Sequence, residues 1–258
     1  MELQELLADA NADIPEVTML LRRDGALTAR IIRIANGVVY GRGDPVGALE
    51  DALARVGFRE VYRLTSTASM LQLAEVPLRF YPITPQALRE NSLLCGLLME
   101  AMAGDAGLDA RTAYTAGLLR AVGRVVLDVT AQRDLRLLRP KPIGEEGLMP
   151  WELDMFGITS GEVAASVLKA WRFQADVWVA IRDQFLHDLS VDPLPMAKLL
   201  HVAISAAAEA GYALPGGLTY VDDNVVQAMI DLNFSDEYVT DALNRTLARF
   251  ERMKGILS

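Results

Sequence analysis

The chain has 258 residues, of which 52% are hydrophobic and only 7% aromatic, so its apolar mass is mainly Ala, Leu, Val, Ile and Met. This length suits one domain or two closely packed ones, and the mixture favours helices because Ala, Leu and Met lose little rotamer freedom in a helix. Its 25 Lys and Arg against 34 Asp and Glu give a net charge of −9, which argues against nucleic-acid binding and against docking on anionic membranes.

The first third of the chain predicts short helices followed by a connector. Amphipathic spacing predicts helices over residues 2–11, 15–21, 26–35 and 59–73. Another helix is expected to open at Asp44 and Pro45 and to end at Gly57. The two prolines in residues 76–82 predict an extended connector.

The rest of the chain also predicts helices almost throughout. Thr84 and Pro85 open a long helix to about Met102, and Asp109 opens one to Ala121. Gly123 is expected to mark a break in the helical structure after that second helix, and residues 134–149 are predicted to form a loop. Further helices are predicted over 151–157, 160–172, 175–187, 194–211, 222–231 and 235–254, with Val239, Leu243, Phe250 and Met253 marking the buried face of the last. The predicted fold class is all-α, compact and non-repetitive.

The mean hydropathy of +0.20 is high, but no stretch predicts a membrane span. The longest apolar runs, such as 93–99 and 199–204, fall far short of the ~20 residues that a spanning helix needs. Residues 1–5 carry acids and no basic segment, so no secretory signal is expected. Cys95 stands alone, lies in an apolar run and is expected to pack in the core, which fits a cytoplasmic protein.

Motifs for catalysis or metal binding are few. His201 lies in an apolar helix and His187 near a predicted helix end, and both are interpreted as structural. No pair of histidines has the spacing of a zinc site, and one cysteine excludes a thiolate site. Ser160, Gly161 and Glu162 lack the frame of a nucleophile elbow. The glycines of 41–44 lack the residues of a phosphate-binding loop.

Residues 24–41, DGALTARIIRIANGVVYG, resemble a signature of the HDOD family, the HD-related output domain of bacterial signalling proteins. The matching residues are Asp24, Leu27, Arg30, Ile31, Ala35, Asn36, Tyr40 and Gly41. Gly25 and Gly37 replace the usual proline and serine. Residues 48–57, 114–127, 158–171, 177–184 and the helix ending at Gly211 resemble further family stretches in the same order, so the resemblance covers about 14–212.

The resemblance implies a multi-helix bundle of the HD-domain (PDEase-like) superfamily. It suggests an N-terminal helical subdomain over 1–82 and an HD-like helical subdomain over 83–212. Residues 213–258 would form a C-terminal helical extension.

The same resemblance implies that the HD site is degenerate. In catalytic members of the superfamily a His, a His-Asp dipeptide and a distant Asp hold a divalent metal that activates water. The dipeptide position here reads Arg120 and Ala121, and the upstream histidine position reads Asn91. The other positions in this cleft read Ser160 for the later histidine, and Asp183 and Gln184 near the His-His pair. Arg120 would place a fixed positive charge where the cation belongs, so we expect no catalytic residue, metal or cofactor.

These observations favour a non-catalytic signal-transduction module that binds other signalling proteins, with no nucleic-acid or membrane partner. Self-association into a homo-oligomer is left open. The helices after Gly217 could form the binding surface or simply cover the core. One alternative is a sensor that binds a nucleotide or another anion through Arg120. A further alternative is a divergent metal-dependent phosphohydrolase that uses Asp128 or Asp183 with Glu162.

Overall fold

A computed structural model describes residues 31, 35, 46–57, 77–133, 143, 147–170, 173–186, 192–216 and 223–257. Every regular element among them is an α-helix, which confirms the predicted all-α class. The chain forms two compact units, Met1–Ser69 and Met70–Ser258, so residues 213–258 belong to the second unit. The division at residues 82 and 212 stays a prediction.

The described part of the first unit contains helix α1, Leu49–Val56. Leu49 and Leu53 are buried, and the helix ends at Gly57, whose φ of 84° suits a residue without a side chain. The predicted start at Asp44 and Pro45 was too early, because the described residues before Leu49 are not helical. Among them is Gly47, whose backbone freedom makes helix formation costly.

Most other predictions for this unit lie outside the described residues. These are the helices over 2–11, 15–21 and 59–73, and the signature residues Asp24, Leu27, Arg30, Asn36, Tyr40 and Gly41. Ile31 and Ala35 are described, and both are helical and buried, as the predicted apolar stripe requires.

The second unit contains the remaining described helices. They are α2 (Pro85–Ala103), α3 (Ala110–Leu119), α4 (Val122–Ala131), α5 (Leu148–Phe156), α6 (Ser160–Ala170), α7 (Ala175–Arg182), α8 (Pro195–Glu209), α9 (Asp223–Asp231) and α10 (Asp236–Leu257). Across the described ranges, no helix combines the length and hydropathy needed to cross a membrane.

Helix α2 is the central helix of this unit. It begins as predicted, because the Thr84 hydroxyl accepts the N–H of Ala87 at 3.1 Å and Pro85 takes the first helical position. Nearly all of its side chains from 91 to 103 are buried, including Cys95, as predicted for that thiol. Helices α3, α8 and α10 pack around it.

The break between α3 and α4 lies at Arg120 and Ala121, so the prediction of a break at Gly123 was wrong. Gly123 lies inside α4, and a Cβ atom built there would stand 1.8 Å from the carbonyl oxygen of Ser160. The missing side chain therefore lets α4 and the start of α6 approach closely.

Several helix ends differ by a few residues from those predicted. Helix α5 begins at Leu148, because its first turn accepts Pro150. Helix α7 ends at Arg182 rather than 187, since residues 183–185 form a turn and Leu186 adopts a φ of 50°. His187 itself lies outside the described residues. In α10 the predicted buried residues are confirmed, namely Val239, Leu243, Phe250 and Met253.

Candidate functional site

Three of the six cleft residues proposed from the sequence come together where α3 ends. Arg120 follows α3, Asn91 lies on α2 and Gln184 follows α7. The Arg120 Nη1 donates to Asn91 Oδ1, and the Gln184 side-chain amide donates to the Arg120 carbonyl at 3.1 Å. Ala121 is buried beside them in the chain, without a polar side chain to contribute.

Backbone carbonyls and His201 hold this group in place. The Asn91 amide donates to the Tyr212 carbonyl at 2.6 Å, so Asn91 is used at both ends of its side chain. His201 Nδ1 lies 2.8 Å from the Gln184 carbonyl oxygen and is fully buried in α8. The interpretation of His201 as a structural core histidine is therefore confirmed.

Arg124 extends this group, and sequence reasoning missed it. Its Nη1 donates to the Pro215 carbonyl at 3.2 Å, and its guanidinium lies 6.0 Å from the Phe185 ring centroid. The only signal was its place four residues after Arg120 in an otherwise apolar run. We call Asn91, Arg120, Arg124 and Gln184 the arginine cluster.

The arginine cluster places two guanidinium groups in the interior. Arg120 and Arg124 are 3% and 2% exposed. Burial lowers the pKa of Arg120, and burial together with the Arg120 charge lowers the pKa of Arg124 to about 10, against the opposing charge of Glu152. Burial also raises the pKa of the Cys95 thiol to about 11, although the Arg120 charge opposes this. The interior here is thus electropositive.

Some polar atoms of this region make no hydrogen bond in the structure. They are Ser92 Oγ, Arg120 Nε, Arg124 Nη2 and Gln184 Oε1. Buried polar atoms usually have partners, because an unmade bond costs roughly 1–3 kcal/mol. The arginine cluster therefore has two donor nitrogens, Arg120 Nε and Arg124 Nη2, and one acceptor oxygen, Gln184 Oε1, without a hydrogen-bond partner.

These residues do not suit a divalent metal. Ala121 offers no ligand, Asn91 Oδ1 already accepts from Arg120, and the Arg120 guanidinium would repel a second cation. Among the described residues, no three His, Cys, Asp or Glu side chains lie close enough together to hold a metal ion.

The other two proposed cleft residues, Ser160 and Asp183, lie apart from the arginine cluster's hydrogen bonds. Ser160 opens α6, and its backbone N–H donates to Glu152 at 2.7 Å. Asp183 forms a two-pronged ion pair with Arg182 at 2.6 and 2.7 Å on the surface. A sequence position alone did not show which way these residues face.

Glu152 is a second residue that sequence reasoning missed. This fully buried acid on α5 accepts the Tyr81 hydroxyl at 2.8 Å and the Ser160 N–H at 2.7 Å. Burial, reinforced by the Glu152 charge, raises the pKa of Tyr81 far above its ordinary range. Its sequence signal was an acid on the helix face that also carries Trp151 and Met155.

The carboxylates of the phosphohydrolase alternative already serve structural bonds. Asp128 on α4 accepts backbone N–H groups of the connector, from Arg79 at 3.0 Å, Phe80 at 2.7 Å and Tyr81 at 3.2 Å. Glu162 accepts the N–H of Thr159 at 2.9 Å, which forms a capping box at the start of α6. The connector predicted as extended over 76–82 forms neither helix nor strand in its described residues, 77–82, and it bends at 79–81.

A surface groove of about 560 Å³ is lined by residues of α5, the start of α6, the end of α7 with the residues that follow it, and residues 192–194 before α8. Leu153, Val179 and Leu194 contribute apolar lining. Glu162 and Asp183 both line it, so the structure brings these two predicted acids into one region, while Asp128 is not part of the lining. None of the four residues of the arginine cluster is part of the lining, but the Arg124 guanidinium lies 6.0 Å from the ring centroid of the lining residue Phe185.

Comparisons with known proteins identify a family and related folds. A model of the HDOD domain matches residues 1–186. Among curated proteins no match is found.

Solved structures share the fold. An HDOD domain protein of unknown function from Geobacter sulfurreducens is 20% identical, with a TM-score of 0.71 over 98% of this chain and 89% of that one. A protein from Marinobacter aquaeolei VT8 whose name assigns it to signal transduction is 23% identical, with a TM-score of 0.72 over 98% of this chain. The match spans 57% of that longer protein.

A third solved structure carries an enzymatic name. This protein from Shewanella amazonensis SB2B, named as a phosphohydrolase, is 19% identical, with a TM-score of 0.69 over 100% of this chain and 92% of that one. At such identities the likeness establishes a common helical fold and leaves activity to be argued from the residues of each chain.

Proposed function

Because this chain belongs to the HDOD family, we propose that it is a non-catalytic signal-transduction module that works by binding other signalling proteins. The observation that carries this proposal is the buried Arg120 guanidinium, which donates to Asn91 Oδ1. The family resemblance places both residues at positions where catalytic HD proteins carry metal ligands.

The physical argument is one of charge and geometry. A metal-dependent hydrolase needs several anionic or imidazole ligands converging on one open point. Here the corresponding interior holds Arg120 and Arg124, and Ala121 takes the place of an aspartate. Two like charges within the low-dielectric interior repel a dication strongly, so the same fold is better suited to a scaffold.

The site of action follows from the same proposal. We expect a cytoplasmic protein, since its single cysteine is buried and suits a reducing compartment. The acidic net charge of −9 argues against nucleic acid as the partner.

The test is reconstitution of a complex. Proteins captured by the tagged full chain from its native cells are identified and purified, and their affinity for it is measured by titration calorimetry. We expect at least one saturable complex with a signalling protein, and Arg133→Ala on the exposed surface serves as a folding-neutral control. Absence of any saturable partner, together with phosphodiester turnover by the purified chain, would overturn the proposal.

A second candidate function is an anion sensor that uses Arg120, and the unpartnered Nε of this buried side chain favours it. A phosphate or nucleotide that paired with this nitrogen would compensate the buried charge. Thermal unfolding in inorganic phosphate and in nucleotides tests this function. Sensing requires a rise in Tm for the wild type that Arg120→Met abolishes and Arg133→Ala retains. A Tm that none of these compounds moves contradicts it.

A further inference from the structure

The surface groove has the composition of a protein-docking site. Leu153 and Leu194 both line it and are 50% and 43% exposed, so large apolar side chains face solvent at a concave surface. Val179 and Phe185 line it as well, so the exposed leucines share the groove with further apolar side chains. An apolar side chain inserted here would be buried on several sides.

Charged groups of the groove already pair within the chain. Arg182 and Asp183 bond to each other, and Glu162 accepts from Thr159. Asp192 pairs with Lys198 at 2.6 Å. An apolar side chain of a partner would leave these bonds intact, and the carboxylates keep lone pairs that a cationic group at the rim could use.

The lining is nevertheless acidic. Among the described residues it carries three carboxylates, Glu162, Asp183 and Asp192, against the guanidinium of Arg182. The N–H and hydroxyl bonds from Thr159 lower the pKa of Glu162, which keeps it ionised at neutral pH. The Lys198 ammonium group offsets only part of this negative charge, because it is shared between the carboxylates of Asp192 and Asp231.

We propose that the surface groove binds an amphipathic helix of a partner protein, with an apolar face against Leu153 and Leu194 and with Lys or Arg along its edges. Helix-in-groove binding uses the apolar face of an amphipathic helix, which matches a groove that exposes two leucines beside carboxylates. Complementary charge at the rim would fix the orientation and speed the encounter. This inference rests on the proposed function and names its binding surface.

The test uses a fluorescent peptide of about 18 residues, built from Leu and Lys in amphipathic order and long enough to form a helix. Leu153→Ser combined with Leu194→Ser should weaken its binding by roughly tenfold, which corresponds to the loss of two partly buried leucine contacts. The matched control is Val226→Ser with Ile230→Ser on α9, an equally exposed apolar pair elsewhere. This control should bind as the wild type does, and the counterpart peptide with Glu for Lys should bind more weakly.

Three results would overturn this proposal for the groove. The first is equal peptide affinity in the Leu153/Leu194 and Val226/Ile230 variants, and the second is equal affinity of the wild type for the Lys and Glu peptides. The third is self-association of the wild type in sedimentation that the Leu153/Leu194 variant loses, since the occupant would then be a second copy of this chain.

The failure of this inference differs from failure of the proposed function. If a reconstituted signalling partner binds the Leu153/Leu194 variant as tightly as the wild type, only the assignment of the groove as the binding surface is refuted. A complete lack of partners would count against the proposed function.

Discussion

The arginine cluster and the surface groove are opposite in character, although both lie in the second unit. The cluster is sealed, since Arg120 and Arg124 are almost fully buried and bonded to Asn91 and to the 212–215 segment. The groove is open and exposes half of the Leu153 side chain. Most positions that the family resemblance assigns to the HD site are therefore buried, whereas the groove exposes apolar side chains.

This difference teaches which interactions set stability and which remain available for function. Sealed polar groups matter through the cost of disturbing their partners. Exposed apolar groups add little to folding and are free to contribute to binding. Mutations in the two regions should therefore separate stability from recognition.

The largest expected effect on stability comes from Gly123→Ala, which tests the close packing of α4 against the start of α6. The new Cβ would meet the Ser160 carbonyl oxygen at 1.8 Å, so α4 and α6 must separate. We expect a loss of about 3 kcal/mol or more in the free energy of unfolding, measured in urea.

Gly104→Ala is the matched control for that substitution. Gly104 has a helical φ of −60°, and beyond its own chain neighbours no atom lies within 4 Å of the point where an alanine Cβ would stand. Alanine there should be neutral or stabilise by up to about 1 kcal/mol. Equal urea midpoints for the two variants would refute the packing argument.

Asp128→Asn should have the next largest effect. The substitution replaces one acceptor oxygen by a donor that faces the N–H groups of Arg79, Phe80 and Tyr81. We expect a loss of roughly 2–3 kcal/mol in urea unfolding, because buried donors lose their acceptor. The exposed substitution Glu209→Gln should stay within about 0.5 kcal/mol, and a similar small change for Asp128→Asn would contradict this role.

Arg120 separates the effect of charge from the effect of volume. Arg120→Ala should destabilise by about 2 kcal/mol, because it leaves a cavity. Arg120→Met keeps a long side chain and removes a buried charge, but it also leaves the buried Asn91 Oδ1 without its guanidinium donor. Because these effects oppose each other, the variant should lose less stability than Arg120→Ala, no more than about 1 kcal/mol. Thermal and urea unfolding of both variants measure this, and equal destabilisation by Met and Ala would show that the charge itself is needed for folding.

The smallest effect on stability is expected in the groove. Leu153→Ser and Leu194→Ser should each change the free energy of unfolding by no more than about 0.5 kcal/mol, because both side chains are already partly solvated. Leu168→Ser at a fully buried position of α6 should cost several times more. Comparable losses at all three positions would mean that the groove leucines belong to the core.

Helices with clear end signals were predictable from the sequence. Thr84 caps the start of α2 and Pro85 suits its first position, and Gly57 supplies the positive φ that ends α1. Gly123 was misread because glycine serves both for breaks and for close contact, and only the packing against Ser160 distinguishes the two. The end of α7 was likewise hidden, since residues 183–185 carry no glycine or proline.

The candidate site was predictable only in part. The family resemblance brought Asn91, Arg120 and Gln184 to one place, and their hydrogen bonds confirm that proximity. Arg124 and Glu152 were missed because their importance comes from burial against distant residues. Helical periodicity marks a face but does not name the groups packed against it.

The most direct test of the central claim is metal binding by the purified full chain. Dialysis against Mn²⁺, followed by elemental analysis and an assay with a chromogenic phosphodiester, measures occupancy and turnover together. The electropositive arginine cluster predicts far less than one equivalent of bound metal and no turnover above buffer. One tightly bound equivalent of manganese, with metal-dependent hydrolysis, would contradict this account.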